Sequence, residues 1–392
     1  MEFLELVETM KAEEASRSRL IGDLAAEGYR DCRSLRAKPD YNLRLSEAMA
    51  VLERARGSRW GMLRFEEAMQ TGDFPLLMGD VLDRQLLGEY ADAMYTSVAR
   101  RSMVPDFRTV KRFAVDGAEG VLPTVVQSAQ YQPQVLTETS YSYAVGKYGR
   151  LLSFSWEAFV NDDLGALGPS APARLGRAAR RSEAKFETQL YTNTTGPHSS
   201  LFTSGNKNIV NISNGASADN PALTNISALQ DAYAVLRKQK DADGEPIMVE
   251  GAILVVGATL EKAAQNLLNA TQIIVGADTG AQRTLSNNWV AGKLRLVVNP
   301  YINIVATTNG GTTWFLFAEP SSGRPAIEMG FLRGNEAPAL FQKQGNQVRL
   351  GGASSPLDGS FENDSIEYKI RHVFGGARLD GKGAVSSNGS GS

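Results

Sequence analysis

Tyr148-Gly149-Arg150-Leu151-Leu152-Ser153-Phe154-Ser155-Trp156-Glu157-Ala158-Phe159-Val160-Asn161-Asp162-Asp163-Leu164-Gly165-Ala166 is the stretch that decides the architecture. Arg150, Leu152, Phe154 and Trp156 fall on one side of a period of two, the mark of a strand. The Asn161-Asp162-Asp163-Leu164-Gly165 step breaks that period. Pro169 and Pro172 follow, where a missing N–H donor and a fixed φ suit the start of a helix. From Ala173 to Tyr191 the spacing turns helical: Leu175, Ala179, Phe186 and Leu190 form a stripe, with Arg174, Arg177, Arg180, Arg181 and Lys185 mostly off it.

Upstream, Thr109 to Val115 reads as a strand, and a Gly- and Pro-punctuated excursion runs from Asp116 to Gln134. A long strand returns, with Val135, Tyr141, Tyr143 and Val145 on one face and Glu138, Ser140 and Ser142 on the other. A lone two-stranded excursion is marginal in water, so this one needs a partner surface. Gly79 to Arg101 reads as a helix with Leu82, Leu86, Leu87 and Tyr90 on one face, and residues 1–70 as a charged helical extension.

Downstream, residues 192–222 are rich in Asn, Ser, Thr and Gly and read as loop. An α/β pattern follows. Helices are expected over Ile226 to Lys240 and Thr259 to Asn269. Strands are expected over Ala252 to Val256, Leu294 to Val298, Ile302 to Thr307, Thr313 to Phe317 and Ala326 to Gly330. A closing strand runs from Ser365 to Phe374, Gly375-Gly376 is expected to end it, and the small polar tail from Gly383 is expected to fray.

With 392 residues, 42% of them hydrophobic and 21% charged, the chain can bury a substantial core. A formal net charge of -2 speaks against a dedicated nucleic-acid binder. Cys32 is the single cysteine, so no intrachain disulfide can form, which suits a reducing cytoplasm. The acidic start, Met1-Glu2-Phe3-Leu4-Glu5, lacks the basic region of a signal peptide, and no long apolar run is present to span a membrane.

The returning strand, the Asn-Asp-Asp-Leu-Gly step and the arginine-rich helix resemble the major head subunits of tailed bacteriophages, those of the Mu-like group in particular. The order downstream is similar too: Asn299-Pro300, then Thr313-Trp314-Phe315-Leu316-Phe317-Ala318, Ile327-Glu328-Met329-Gly330 and a Tyr368-Lys369-Ile370-Arg371 strand. The resemblance implies an α+β fold of the Hong Kong 97 type. It divides the chain into a helical N-terminal extension (1–72), an N-arm (73–107), an extended β-hairpin loop (108–157) and a peripheral domain with its spine helix (158–222). An axial domain (223–345) and a closing strand with tail (346–392) complete it. It implies a major capsid protein whose partner is itself, in pentamers and hexamers of an icosahedral shell around double-stranded DNA. A portal, scaffold or decoration proteins, and non-specific contact with packaged DNA, are the further partners implied, with assembly in the host bacterial cytoplasm and no membrane. Tyr141, Tyr143, Val145, Arg174, Arg177 and Arg181 are the expected intersubunit contacts. Residues 1–70 are expected to stay attached and face the shell interior.

Catalytic signatures are weak by comparison. Gly376-Ala377-Arg378-Leu379-Asp380-Gly381-Lys382-Gly383 approaches a phosphate loop but has Gly383 where a Ser or Thr must hold magnesium. Val256-Gly257-Ala258-Thr259 has one glycine where a dinucleotide fingerprint needs three. Asp241-Ala242-Asp243-Gly244-Glu245 begins like a calcium loop, but Pro246 interrupts it. His198 and His372 are the two histidines and stand too far apart in sequence for a metal motif. No catalytic, metal or cofactor residue is expected. The rival readings are an encapsulin-type nanocompartment shell and, more remotely, a small-molecule enzyme built on residues 224–300.

Overall fold

The structure, a computed structural model, describes residues 86–88, 90–91, 97–116, 121–122, 124–125, 127, 130–131, 137–155, 157, 171–210, 223, 226–241, 243–275, 284–343 and 360–388. The expected extension 1–72 and the Asn161–Gly165 step lie outside them. In chain order come β1 (Arg100–Val104), β2 (Val110–Asp116), β3 (Thr137–Tyr143), β4 (Gly146–Ser155) and the long helix α1 (Ala171–Tyr191). Next are β5 (Thr192–Asn193), β6 (Gly196–Pro197), α2 (Ile226–Arg237), β7 (Gly251–Val256), α3 (Glu261–Asn269), β8 (Gln272–Val275), β9 (Thr284–Asn287) and β10 (Arg295–Val298). Then follow α4 (Tyr301–Val305), β11 (Trp314–Ala318), β12 (Ile327–Leu332), β13 (Ala339–Gln342), β14 (Ser365–Arg378) and β15 (Ala384–Ser387). The class is α+β.

The chain forms two compact units. One contains residues 146–182 and 331–374. There β4 pairs antiparallel with β14 from Gly146↔Phe374 to Ser155↔Ser365, and β13 pairs with β14 at Ala339↔Arg371 to Gln342↔Tyr368. Gly149 is required in this pairing: a Cβ there would come 2.7 Å from the Ile370 carbonyl oxygen. The strand that carries the opening stretch therefore belongs to this sheet. The hairpin is β2 with β3 alone, in register from Val110↔Tyr143 to Asp116↔Thr137, so the expected loop bounds of 108–157 are too wide at their end.

The other unit contains residues 94–145, 183–330 and 375–392. Its centre is a four-stranded sheet in the order β10-β7-β11-β15, with β10 parallel to β7 and the other pairs antiparallel. Ile253, Leu254, Val255 and Val256 of β7 are fully buried, as the unbroken apolar run of a strand covered on both faces requires. Leu229 and Leu236 of α2 pack with Leu254, Val256, Trp314 and Leu316.

Four expectations about single elements need correction. Ile302 to Thr307 is not a strand: the Asn299 side chain accepts a bond from the Tyr301 N–H at 3.0 Å, and Pro300 sits at the entry to α4. Gly375-Gly376 does not end β14, which continues to Arg378. The tail does not fray at Gly383: β15 is buried along its whole length and Val385 lies in the core. Its outer edge is covered by residues 208–210, since the Val210 N–H donates to the Ser386 carbonyl at 2.8 Å and the Ser386 N–H to the Asn208 carbonyl at 3.0 Å. The expected helix to Arg101 also gives way to strand at Arg100.

Candidate assembly site

The hairpin grows from strands rich in β-branched residues, Val110 and Val115 on one and Thr137 and Thr139 on the other. Its root is fastened by a single carboxylate. Glu328 on β12 is 3% exposed. Its Oε1 accepts from the Tyr143 hydroxyl at 2.7 Å, the Ser102 hydroxyl at 2.7 Å and the Arg112 Nε at 2.8 Å. Ser102 Oγ and Tyr143 Oη also lie 2.8 Å apart, so either hydroxyl can turn its one proton to the other in place of the carboxylate. β1, β2, β3 and β12 thus meet at one atom. Burial pushes the Glu328 carboxyl up, but the bonds from Tyr143, Ser102 and Arg112 and the guanidinium charge outweigh it, leaving it below the ordinary carboxylate value. Burial raises the Tyr143 phenol, so it stays a donor.

Two glycines make room for this root. A Cβ on Gly330 would come 2.5 Å from Cε2 and Oη of Tyr143. Glu328 and Gly330 are two apart on β12 and share a face, forming an acceptor beside a slot for the ring. At Gly375 a Cβ would collide with the Ala144 carbonyl oxygen, where the chain leaves the hairpin.

The expected contact residues divide accordingly. Tyr143 and Val145 are buried within their own chain, at 6% and 5% exposure, because the phenol reaches inward to Glu328. They are anchors of the hairpin, a correction of their expected role between subunits. Tyr141 is half-buried. The exposed apolar side chains lie elsewhere on the excursion: Phe113, Val121, Leu122 and Tyr131, with Leu122 at 89%. The sequence reading missed Glu328. The signal is a lone carboxylate in the otherwise apolar run Ile327-Glu328-Met329-Gly330, which must find a partner once that strand is buried.

Arg174, Arg177 and Arg181 project from α1 into a groove of about 600 Å³ with Tyr148 and Arg150 of β4, floored by His372. Tyr148 stacks on Phe374 with ring centres 4.2 Å apart. Arg150, Arg174 and Arg181 are exposed and Arg177 is half-buried.

The motifs that hinted at enzymes are filled by the chain itself. A Cβ on Gly257 would collide with Asn303 Oδ1, and that same oxygen takes the Ala258 N–H at 3.0 Å, so a side chain occupies the place of a phosphate. Asp241 Oδ1 accepts from the N–H groups of Asp243 and Glu245, closing a turn with Gly244 at φ +88. Asp380 takes the Lys382 N–H and pairs with Arg324 at 3.2 Å. Among the described residues no cluster of three His, Cys, Asp or Glu could hold a metal, and no helix is long and apolar enough to cross a membrane.

The hairpin is clamped at its root by Glu328, and α1 carries Arg174, Arg177, Arg180 and Arg181. Residues 138–387 match the model of the phage capsid protein family, and the chain belongs to that family. No curated protein matches the sequence. Among solved structures, a chain of Mycobacterium phage Ogopogo is similar at 13% identity, over 75% of this chain and 91% of that one, with a TM-score of 0.43. The virus-like particle from Pyrococcus furiosus is similar at 10% identity, over 79% and 99%, with a TM-score of 0.44. The capsid of cyanophage P-SCSP1u is similar at 10% identity, over 74% and 86%, also with a TM-score of 0.44. The family assignment rests on the 138–387 match, and with it the role is structural and shell-forming.

Proposed function

We propose that this chain is the major capsid protein of a tailed phage, with its head-subunit relatives in the Mu-like group. Copies join as pentamers and hexamers, and these close an icosahedral shell around double-stranded DNA inside the host cytoplasm. A portal takes one vertex, scaffold or decoration proteins attach where needed, and DNA touches the inner wall without sequence preference. Residues 73–107 serve as the arm, 108–145 as the reaching hairpin, the α1 region as the spine and 223–345 as the axial domain.

One observation carries this reading. The hairpin is fastened at its root by Glu328, while its stem exposes Phe113 and its far part exposes Val121, Leu122 and Tyr131. Exposed apolar side chains at the end of an anchored arm mark an interaction surface. Burying each such side chain against a neighbour is worth about 1.5–3 kcal/mol, and closed symmetry repeats the gain at every subunit. Phage capsid family membership favours this over a nanocompartment shell.

The test is to replace residues 118–136 with a short Gly-Ser turn, sparing the β2–β3 stem. The expected result is soluble, cooperatively melting subunits or capsomers and no closed particles in negative-stain micrographs. Normal particles from this variant would overturn the reading.

A further inference from the structure

We propose that the face of the β4–β14–β13 sheet turned away from α1 is a docking site for the acidic segment 2–8 of this chain. The inference goes beyond the assembly reading and does not depend on it.

The face is basic and partly apolar. Side chains alternate along β4, so Lys147, Gly149 and Leu151 lie opposite to Tyr148 and Arg150, which line the groove with α1. The register puts Lys147 beside Val373, Gly149 beside Arg371 and Leu151 beside Lys369. On the other side of β14, Phe341 stands beside Lys369 and Ala339 beside Arg371. The Lys369 Nζ lies 5.2 Å and the Arg371 Cζ 4.7 Å from the centre of the Phe341 ring, so one ring holds two cations. Gly149 is exposed and leaves the face without a side chain beside Arg371. Among the described residues Lys147, Lys369 and Arg371 make no ion pair; Arg371 donates to the Asn335 Oδ1 at 3.5 Å. Glu367 is an acid of β14 on the same face, and Lys343 takes it at 3.0 Å. Three cations are thus left without an anion, next to Phe341 and to Leu151, which is 58% exposed.

The segment has the complementary make-up. Glu2-Phe3-Leu4-Glu5-Leu6-Val7-Glu8 carries three glutamates, four apolar residues and no cation. It lies outside the described residues. Its glutamates recur at every third position, and in the helix that its spacing predicts they span about 9 Å. The three cations span about 13 Å along the strands. The long stems of lysine and arginine close that difference. Glu157-Ala158-Phe159-Val160-Asn161-Asp162-Asp163 holds as many acids, but two of them are adjacent, with no apolar residue between. A nucleic-acid backbone would meet the cations and cover neither Leu151 nor Phe341, so an acidic and apolar peptide is the better match.

Carbodiimide coupling of the full chain as soluble subunits, read by mass spectrometry, tests this. The reagent joins a carboxylate to an amine in direct contact. Wild type is expected to yield peptides in which Glu2, Glu5 or Glu8 is linked to Lys147 or Lys369. The yield is expected to fall about fivefold or more between about 0.1 M and 1 M salt, as the screening length shortens. A labelled synthetic peptide of residues 1–12 reads the same contact in trans. Full-length Glu2→Lys/Glu5→Lys/Glu8→Lys leaves the face open and is expected to bind that peptide about tenfold more tightly than wild type, whose own segment competes. Adding Lys369→Glu/Arg371→Glu is expected to remove that binding; if this variant melts early, Lys369→Gln/Arg371→Gln takes its place, with a smaller loss expected. Absence of coupling between Glu2, Glu5 or Glu8 and either lysine overturns the proposal. So does peptide binding that the change at Lys369 and Arg371 leaves intact. Coupling of the two lysines to Glu157, Asp162 or Asp163 instead overturns it and gives the face to that segment, and tighter binding of duplex DNA than of the peptide gives it to nucleic acid. No particle is needed for any of these measurements, so failure here leaves the 118–136 test of assembly untouched.

Discussion

Replacing Glu328 tests how the hairpin is held. In Glu328→Ala the Tyr143 hydroxyl, the Ser102 hydroxyl and the Arg112 Nε lose one shared acceptor. Removing one side of a buried charged pair costs about 3–5 kcal/mol. Arg112 is 38% exposed and regains water, and the hydroxyls of Ser102 and Tyr143, 2.8 Å apart, can turn to each other, so we expect the lower end, about 3 kcal/mol. For a unit of this size that corresponds to a fall in Tm of about 6–12 °C for the unassembled subunit. Amide exchange should quicken in Val110–Asp116 and Thr137–Tyr143 before it does in Gly251–Val256. Tyr143→Phe removes one donor of the three and should cost about 1–1.5 kcal/mol. Glu328→Gln keeps an acceptor of the same shape but loses the charge, and should fall between the two. The pH dependence has a defined sign. The Glu328 carboxyl lies lower in the folded chain than its ordinary value of 4.5. Its contribution is therefore complete above the ordinary carboxylate range and is lost as pH falls through the lower folded value. Acid melting curves of wild type and Glu328→Gln should run parallel near neutrality and converge only below about pH 4.5. A Glu328→Ala protein that melts within about 2 °C of wild type, with unchanged exchange in the two stem strands, would refute the anchor.

Gly330→Ala should be as damaging as a large cavity, about 2–3 kcal/mol, because the added methyl falls 2.5 Å from the Tyr143 ring; the combination Gly330→Ala/Tyr143→Ala should recover part of that loss in a melting cycle. Ending the chain at Gly383 removes β15 and uncovers Trp314, Phe315, Leu316 and Phe317 on one edge, so the truncated protein should be insoluble or bind a hydrophobic dye when the wild type does not. Asn299→Ala leaves the hydroxyls of Thr188 and Tyr191 without their amide partner inside the core and should lower stability by about 2–3 kcal/mol in urea titration. Because residues 116–146 contain no lysine, mature particles boiled in detergent should run as one band near 42.3 kDa, and a ladder of covalent multimers would contradict this.

Much of the frame is legible in the sequence because single elements carry their own period. The stripe of α1, the apolar run of β7 and the alternation of β14 are local patterns, set by how a helix or strand must turn its side chains. Residues 148–191 showed the capsid architecture through such a succession. Local pattern fails where a distant partner decides. Ala384-Val385-Ser386-Ser387 is too short and polar to announce a core strand, and becomes one because β11 on one side and residues 208–210 on the other take its backbone bonds. Tyr301–Val305 is β-branched enough to read as strand, and Asn299 and Pro300 turn it into helix. Tyr141, Tyr143 and Val145 share one face by period alone, yet only packing sends the Tyr143 hydroxyl to Glu328, 185 residues away in the chain, and leaves Phe113 and Leu122 outside. A carboxylate in an apolar strand can be read as needing partners, but which three donors satisfy it is a matter of long-range pairing, and that is settled only when the strands meet.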